Sequence, residues 1–176
     1  MKNFFRITAI LLIAILAAAA FAGCKHDPVK PADETEAPVV KDYDVTEVAN
    51  SIAENVPFED EYLAYIDDRD FTLTSLGVDA ALVADKDGVK EAASYVSGAY
   101  PEMIVCIKAV DETAAASVME IMEARIDNYI KNYSTYTPEQ VAKLESAVKK
   151  TVGSYVFVIV SNDNTAAESF LNGLLG

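Results

Sequence analysis

"IVCIKAVDETAAASVMEIM" at residues 104–122 and "VFVIVSNDNTAAESFLNGLL" at 156–175 share one pattern at a fixed offset of 52 residues. Ile107 falls on Ile159, Asp111 on Asp163, Thr113 on Thr165, Ser117 on Ser169 and Met119 on Leu171. Each copy reads as an apolar strand, an acidic or Asn turn that caps a helix, and a helix whose first turn is rich in alanine. "YVFVIV" is apolar without alternation, which suits a central strand buried on both faces. A second, shorter strand candidate precedes each copy, "AASYVS" at 92–97 and "AVKKTVG" at 147–153. Gly98 to Pro101 and Gly153-Ser154 supply the turns. The unit is strand, strand, helix, and it occurs twice. Paired antiparallel strands covered by helices predict an α+β fold. The expected form is a two-layer sandwich, with a mainly antiparallel sheet of about four strands and helices on one face.

Working outward, the first copy continues into a long helix over 114–133. "TPEQ" at 137–140 then predicts a new helix, with Thr137 as cap, Pro138 in the first turn and Gln140 closing a capping box. Upstream, "DVTE" at 44–47 is another such box, Asp44 capping and Glu47 reaching back to it. Val45, Val48, Ala49, Ile52 and Val56 follow as a helical stripe that stops before Pro57. Between Phe58 and Asp70, "FEDEYLAYIDDRD" is compatible with a helix, while 76–88 reads as irregular or briefly helical. A single domain is expected over 43–176.

The start of the chain is different in kind. Lys2 and Arg6 precede an uncharged run from Ile7 to Ala22, the pattern of an export signal over 1–23. Small residues then meet a cysteine in "FAGC", which resembles the lipobox of bacterial lipoproteins. That resemblance implies cleavage before Cys24 and attachment of diacylglycerol to its thiol, often with a further acyl chain such as palmitate. Burying each CH2 contributes about 0.8 kcal/mol, and two acyl chains hold a protein stably where one does not. An uncleaved anchor helix is the other reading of the same run, whose length is close to the lower limit for a membrane span. Residues 24–42, "CKHDPVKPADETEAPVVKD", hold three of the six prolines and read as a flexible tether.

Composition limits the function classes. The chain has 28 Asp and Glu against 14 Lys and Arg, a net charge of −14. Such a chain repels phosphate backbones, so no nucleic-acid partner is expected. The charge also opposes direct adsorption to anionic lipid headgroups. No phosphate loop, nucleophile elbow or dinucleotide fingerprint occurs, so the chain does not read as an enzyme, and no catalytic residue or cofactor is assigned. The one histidine, His26, lies in the tether. Cys106 sits alone in an apolar run, the place of a small core residue. "VADKDGVKEAAS" at 83–94 has Asp85, Asp87 and Gly88 of a calcium loop. It has Val83 and Ser94 at the first and twelfth places, where ligands are needed, and so reads as a solvated turn. The six acids of 59–70 read as solvated surface, with weak cation binding as the alternative; no metal site is assigned. Arg125 shares a helix face with Ile121, Met122, Ile126 and Tyr129, and Tyr133 and Tyr136 follow. An arginine among aromatics suits an anion or a sugar. The plainer expectation is that its stem covers the core edge while its head pairs with a surface acid.

Arg125, "YTPEQ" at 136–140 and "GSYVFVIVSND" at 153–163, after the strand "MIVCIKA", resemble the Domain of Unknown Function 4358 family. Its members are mostly small bacterial lipoproteins. The similarity runs over roughly residues 58–174, implies an envelope location, and brings no catalytic residues with it. The expected role is therefore a lipid-anchored, extracytoplasmic binding or interaction module of the cell envelope. It would be held to the membrane through Cys24 and meet an envelope protein or a wall component. The alternatives are a small-ligand or cation-binding surface lipoprotein and, third, an envelope enzyme.

Overall fold

The computed structural model describes residues 41–176. The signal segment 1–23, Cys24, His26 and the tether up to residue 40 lie outside the described residues. The first helix, α1 (Val45–Asn55), begins where Asp44 caps it, accepting from the N–H groups of Thr46 and Glu47 at 2.9 and 3.0 Å. Val45, Val48, Ala49 and Ile52 are buried, as their spacing requires. Glu47 does not return the bond to Asp44, so the expected box is closed from one side only.

The helix with which 58–70 is compatible forms only at its last two residues. Residues 58–63 are irregular, and β1 (Ala64–Tyr65) and α2 (Arg69–Leu76) follow. Local side-chain bonds win here: Asp60 accepts from the Tyr62 N–H and from the Ser97 hydroxyl, and Asp68 accepts from the Phe71 N–H and starts α2. Gly77 ends α2 in the left-handed region at φ 75°, where its missing Cβ avoids strain. A turn of 3-10 helix over Ala80–Leu82 leads to a small hairpin, β2 (Asp85–Lys86) and β3 (Val89–Lys90). Asp87 and Gly88 between them both have positive φ, which a tight hairpin turn of this twist demands.

The two repeats then appear as β4 (Ala92–Val96), β5 (Met103–Lys108) and α3 (Glu112–Tyr136), and as β6 (Val148–Val152), β7 (Tyr155–Val160) and α5 (Asn164–Leu175). Asp111 and Asp163 cap the equivalent helices, each accepting from the N–H three residues on, Ala114 at 2.7 Å and Ala166 at 2.9 Å. Between the copies, Pro138–Gln140 is a 3-10 turn and α4 (Val141–Glu145) is short. Thr137 makes no side-chain cap bond there, so the second expected capping box is absent. Gln140 is instead buried, with its amide turned toward Glu59.

The sheet is antiparallel throughout, in the order β1-β4-β5-β7-β6. The α+β sandwich of helices on an antiparallel sheet is as expected. The short β1, paired Ala64 to Val96 and Tyr65 to Tyr95, makes it five-stranded instead of about four. Helices pack on both faces and not on one only. Val105, Ile107, Val156, Val158 and Val160 join α2, α3 and α4 in one core, with Val118, Met122 and Ile126 of α3. Ile104, Cys106, Phe157 and Ile159 join α1 and α5 in the other, with Ile52 and Leu171. Alternate residues of a strand face opposite sides, so β5 and β7 are apolar at nearly every position because both sides are dry. The edge strand β6 keeps Lys149 and Thr151 toward solvent, which blunts pairing with another chain. None of the described helices is long and apolar enough to cross a membrane.

Candidate functional site

At about 1.5 Å per residue the 25 residues of α3 reach far beyond the six-residue strands it covers, which rise about 3.4 Å per residue. Its C-terminal half carries Arg125 to the end of α2. There Arg125 Nη1 donates to the Ser75 carbonyl at 2.8 Å, and Nη2 donates to the Tyr129 hydroxyl at 2.8 Å. The guanidinium also lies over the Tyr129 ring, 5.0 Å from its centre. Among the described residues no carboxylate lies within salt-bridge distance of Arg125, so the expected pairing with a surface acid is not made. The last carbonyls of a helix lack partners and carry partial negative charge, and this draws the cation to α2. Arg125 Nε is buried with no partner, so the group is not fully satisfied by the protein.

Around this head lies an open depression lined by Leu76, Ile121, Arg125, Asn128, Tyr129 and Asn132. It offers a cation, a phenol hydroxyl and two amides beside aliphatic side chains, a surface for a small hydrogen-bonding ligand. Tyr133 stacks at a tilt on Tyr129 with centres 6.2 Å apart, and burial followed by that neighbour raises its pKa. Tyr136 is 84% exposed at the end of the helix and does not line the depression. Of the four candidates, Arg125 and Tyr129 come together, Tyr133 supports Tyr129, and Tyr136 stands apart.

Two ion clusters were not legible in the sequence. Glu102, with its side chain fully buried, accepts from the N–H groups of Glu59 at 2.9 Å and Asp60 at 3.0 Å, and from Lys143 at 3.0 Å. Lys143 also pairs with Glu59 and sits 5.3 Å above the Tyr100 ring. Burial opposes its charge, yet bonds to Glu59 and Glu102 outweigh this and raise its pKa. The second cluster joins the first described residues to the sheet. Lys108 meets Asp42 at 2.8 Å and Glu91 at 3.5 Å, and Tyr155 donates to Asp42. Bonds from Lys108 first, then Tyr155, with a longer-range pull from Lys86, hold the Asp42 carboxyl below its ordinary range. Apart from Lys108 and Glu91, the paired residues in these clusters lie 41 to 113 residues apart, beyond the reach of spacing arguments.

The remaining candidates find local duties. Cys106 is fully buried, and desolvation pushes its thiol far above the ordinary range, away from nucleophilic chemistry. In 83–94, Asp85 accepts from the Gly88 N–H at 2.8 Å and closes the hairpin, a turn as expected. Of the acids of 59–70, Glu59 pairs with Lys143, Asp60 accepts from Tyr62 and Ser97, and Asp68 caps α2; among the described residues no group of three or more His, Cys, Asp or Glu is placed to hold a metal ion.

Residues 83–161 match the model of the family described as Domain of unknown function (DUF4358). This stretch contains β2 through β7 and Arg125, and leaves out α1, α2 and α5. No curated protein and no solved structure matches the chain.

Proposed function

We propose that this protein is a lipid-anchored binding module on the outer side of a bacterial membrane, meeting an envelope protein or a wall component. The observation that carries the reading is the "FAGC" junction after a charged start and an uncharged run, followed by a proline-rich segment. Diacylglycerol on Cys24 would supply the membrane hold that an acidic surface does not. Crosslinking on intact cells expressing the full chain tests it, with Cys24→Ser as control. One abundant envelope protein recovered only with the anchored form is the expected result. The mass of the mature N-terminal peptide reads the anchor itself, and an unmodified peptide starting before Cys24 sinks the reading.

The depression around Arg125 supports a second reading, a small-ligand-binding lipoprotein. A cation with no carboxylate partner among the described residues, in a chain with twice as many acids as bases, is a place for a polar or anionic ligand. A ligand that binds only the native state raises Tm, so Tm of the full chain with and without wall fragments decides it. A rise that Asn132→Ala abolishes supports the site, and no rise with any fragment removes it.

A further inference from the structure

A guanidinium is a planar fork with five N–H donors. In Arg125, Nη1 spends one of them on the Ser75 carbonyl, Nη2 spends one on the Tyr129 hydroxyl, and Nε is buried. One N–H on each terminal nitrogen is left to face the depression. The Tyr129 oxygen accepts from Nη2, so its own proton also remains to be donated. The head is held at the level of Tyr129, with that ring 5.0 Å from it. Asn128 and Asn132, one helical turn apart and both exposed, border Tyr129 on the same flank of α3.

Acids are kept off this flank. The chain has 28 of them, yet among the described residues none lines the depression. Glu123 and Asp127, four residues apart on the same stretch of α3, share the opposite flank, where Glu123 lies 3.6 Å from Lys149 of β6. Fields beyond about 8 Å are screened at physiological salt, so the local charge governs what enters. Leu76 and Ile121 add apolar surface beside the fork. The volume, about 370 Å³, falls within the roughly 300–1,000 Å³ of small-ligand sites.

We infer that the depression binds the free carboxyl end of a peptide. The two remaining Nη donors of Arg125 match the two oxygens of one carboxylate, and such charge-assisted bonds are short and strong. One cation balances the single charge of a carboxylate, whereas a phosphate monoester carries nearly two at neutral pH. The amide that precedes a terminal residue needs both an acceptor and a donor, and each of Asn128 and Asn132 offers both. A small aliphatic side chain on that residue rests against Leu76 and Ile121. This assignment rests on the small-ligand reading above and names the class of ligand for it.

The test uses the isotope-labelled full chain in neutral detergent micelles, titrated with N-acetylalanine of either hand. N-acetylalanine amide, which lacks the charge, and inorganic phosphate are the controls. The expected result is a saturable shift of the Arg125 Nε–H signal and of the Asn128 and Asn132 side-chain amides with N-acetylalanine of at least one hand, and none with its amide. Arg125→Lys keeps the charge and loses the fork; Asn128→Ala changes an exposed helical position and leaves the bond to Ser75 intact. Each weakens binding about tenfold, the loss of one hydrogen bond to or beside a charged group. An equal response to the amide, a response to phosphate alone, or binding that both variants leave unchanged overturns the carboxylate. No saturable response to N-acetylalanine overturns it too. In that case a Tm rise with wall fragments that Asn132→Ala abolishes still upholds the small-ligand reading, so the two failures are told apart.

Discussion

Glu102 is the residue on which most of the polar interior depends. Its carboxylate is out of water and holds the 57–63 segment by two backbone N–H groups while facing Lys143. Breaking one side of a buried pair leaves the other charge uncompensated, at a cost of about 3–5 kcal/mol. Glu102→Gln and Lys143→Met should each lower unfolding stability by about 3 kcal/mol, and the double variant should lose clearly less than their sum. Denaturant titrations of the four proteins of this cycle read the coupling; strict additivity would mean the pair does not act as a unit. Surface carboxylates set the response to acid. Asp42 (Lys108 first), Glu59 (Lys143 first) and Asp60 (Ser97 first) have folded pKa values lowered by these partners. A depressed carboxyl contributes stability that is present above its unfolded pKa near about 4 and is lost as pH falls through the folded value. Lys108 and Lys143 are shifted up, so their share is present through neutrality and lost as pH rises above about 10.4. Tm is therefore expected to hold a plateau near neutral pH and to fall on both sides; a rise in Tm on acidification would contradict these pairings.

At the scale of elements, the repeat is legible because each unit carries its own start signal. Asp111 and Asp163 make the same bond to the same helix position, and neither depends on distant parts of the chain. Replacing an Asp cap by Ala costs about 0.5–2 kcal/mol. Asp111→Ala and Asp163→Ala should each cost about 1 kcal/mol by thermal or denaturant unfolding; a cost near zero at either would mean the helix start is held by its packing alone. The same logic misleads at Thr137, which has the right spacing and Pro138 behind it. Its backbone leaves the long α3 with ψ 68°, outside the extended region that aims a cap side chain at the next turn. Likewise 58–70 contains helix formers, but Asp60, Asp68 and the Glu102 carboxylate claim its N–H groups first. Arg125 was legible as a special position on α3; its partner, the Ser75 carbonyl on α2, lies 50 residues away and left no local trace.

At the scale of the whole molecule, one sheet serves two cores. Phe157 belongs to the core under α1 and α5, and Met122 to the core under α2, α3 and α4. Large-to-small changes at such sites cost about 2–5 kcal/mol. Phe157→Ala and Met122→Ala should each lower stability by about that much. Both are expected to keep a single cooperative transition seen by near- and far-ultraviolet circular dichroism, because β5 and β7 line both cores. Separate transitions in either variant would show that the two sides fold independently. The local pattern of the chain was enough to determine strand, turn and helix in each repeat, the antiparallel hairpins, and the start of α1 at Asp44. Composition alone set the acidic surface. Which side each helix takes was decided only by the tertiary register. Met103 pairs with Val160 and Lys108 with Tyr155, so Val105 and its repeat equivalent Phe157 fall on opposite faces of the sheet. With a side-chain period of two, a shift of one residue in that pairing would place equivalent residues on the same face. That parity, invisible in either repeat by itself, sends α3 to one side and α5 to the other. It arises only when β5 and β7, distant in sequence, come together.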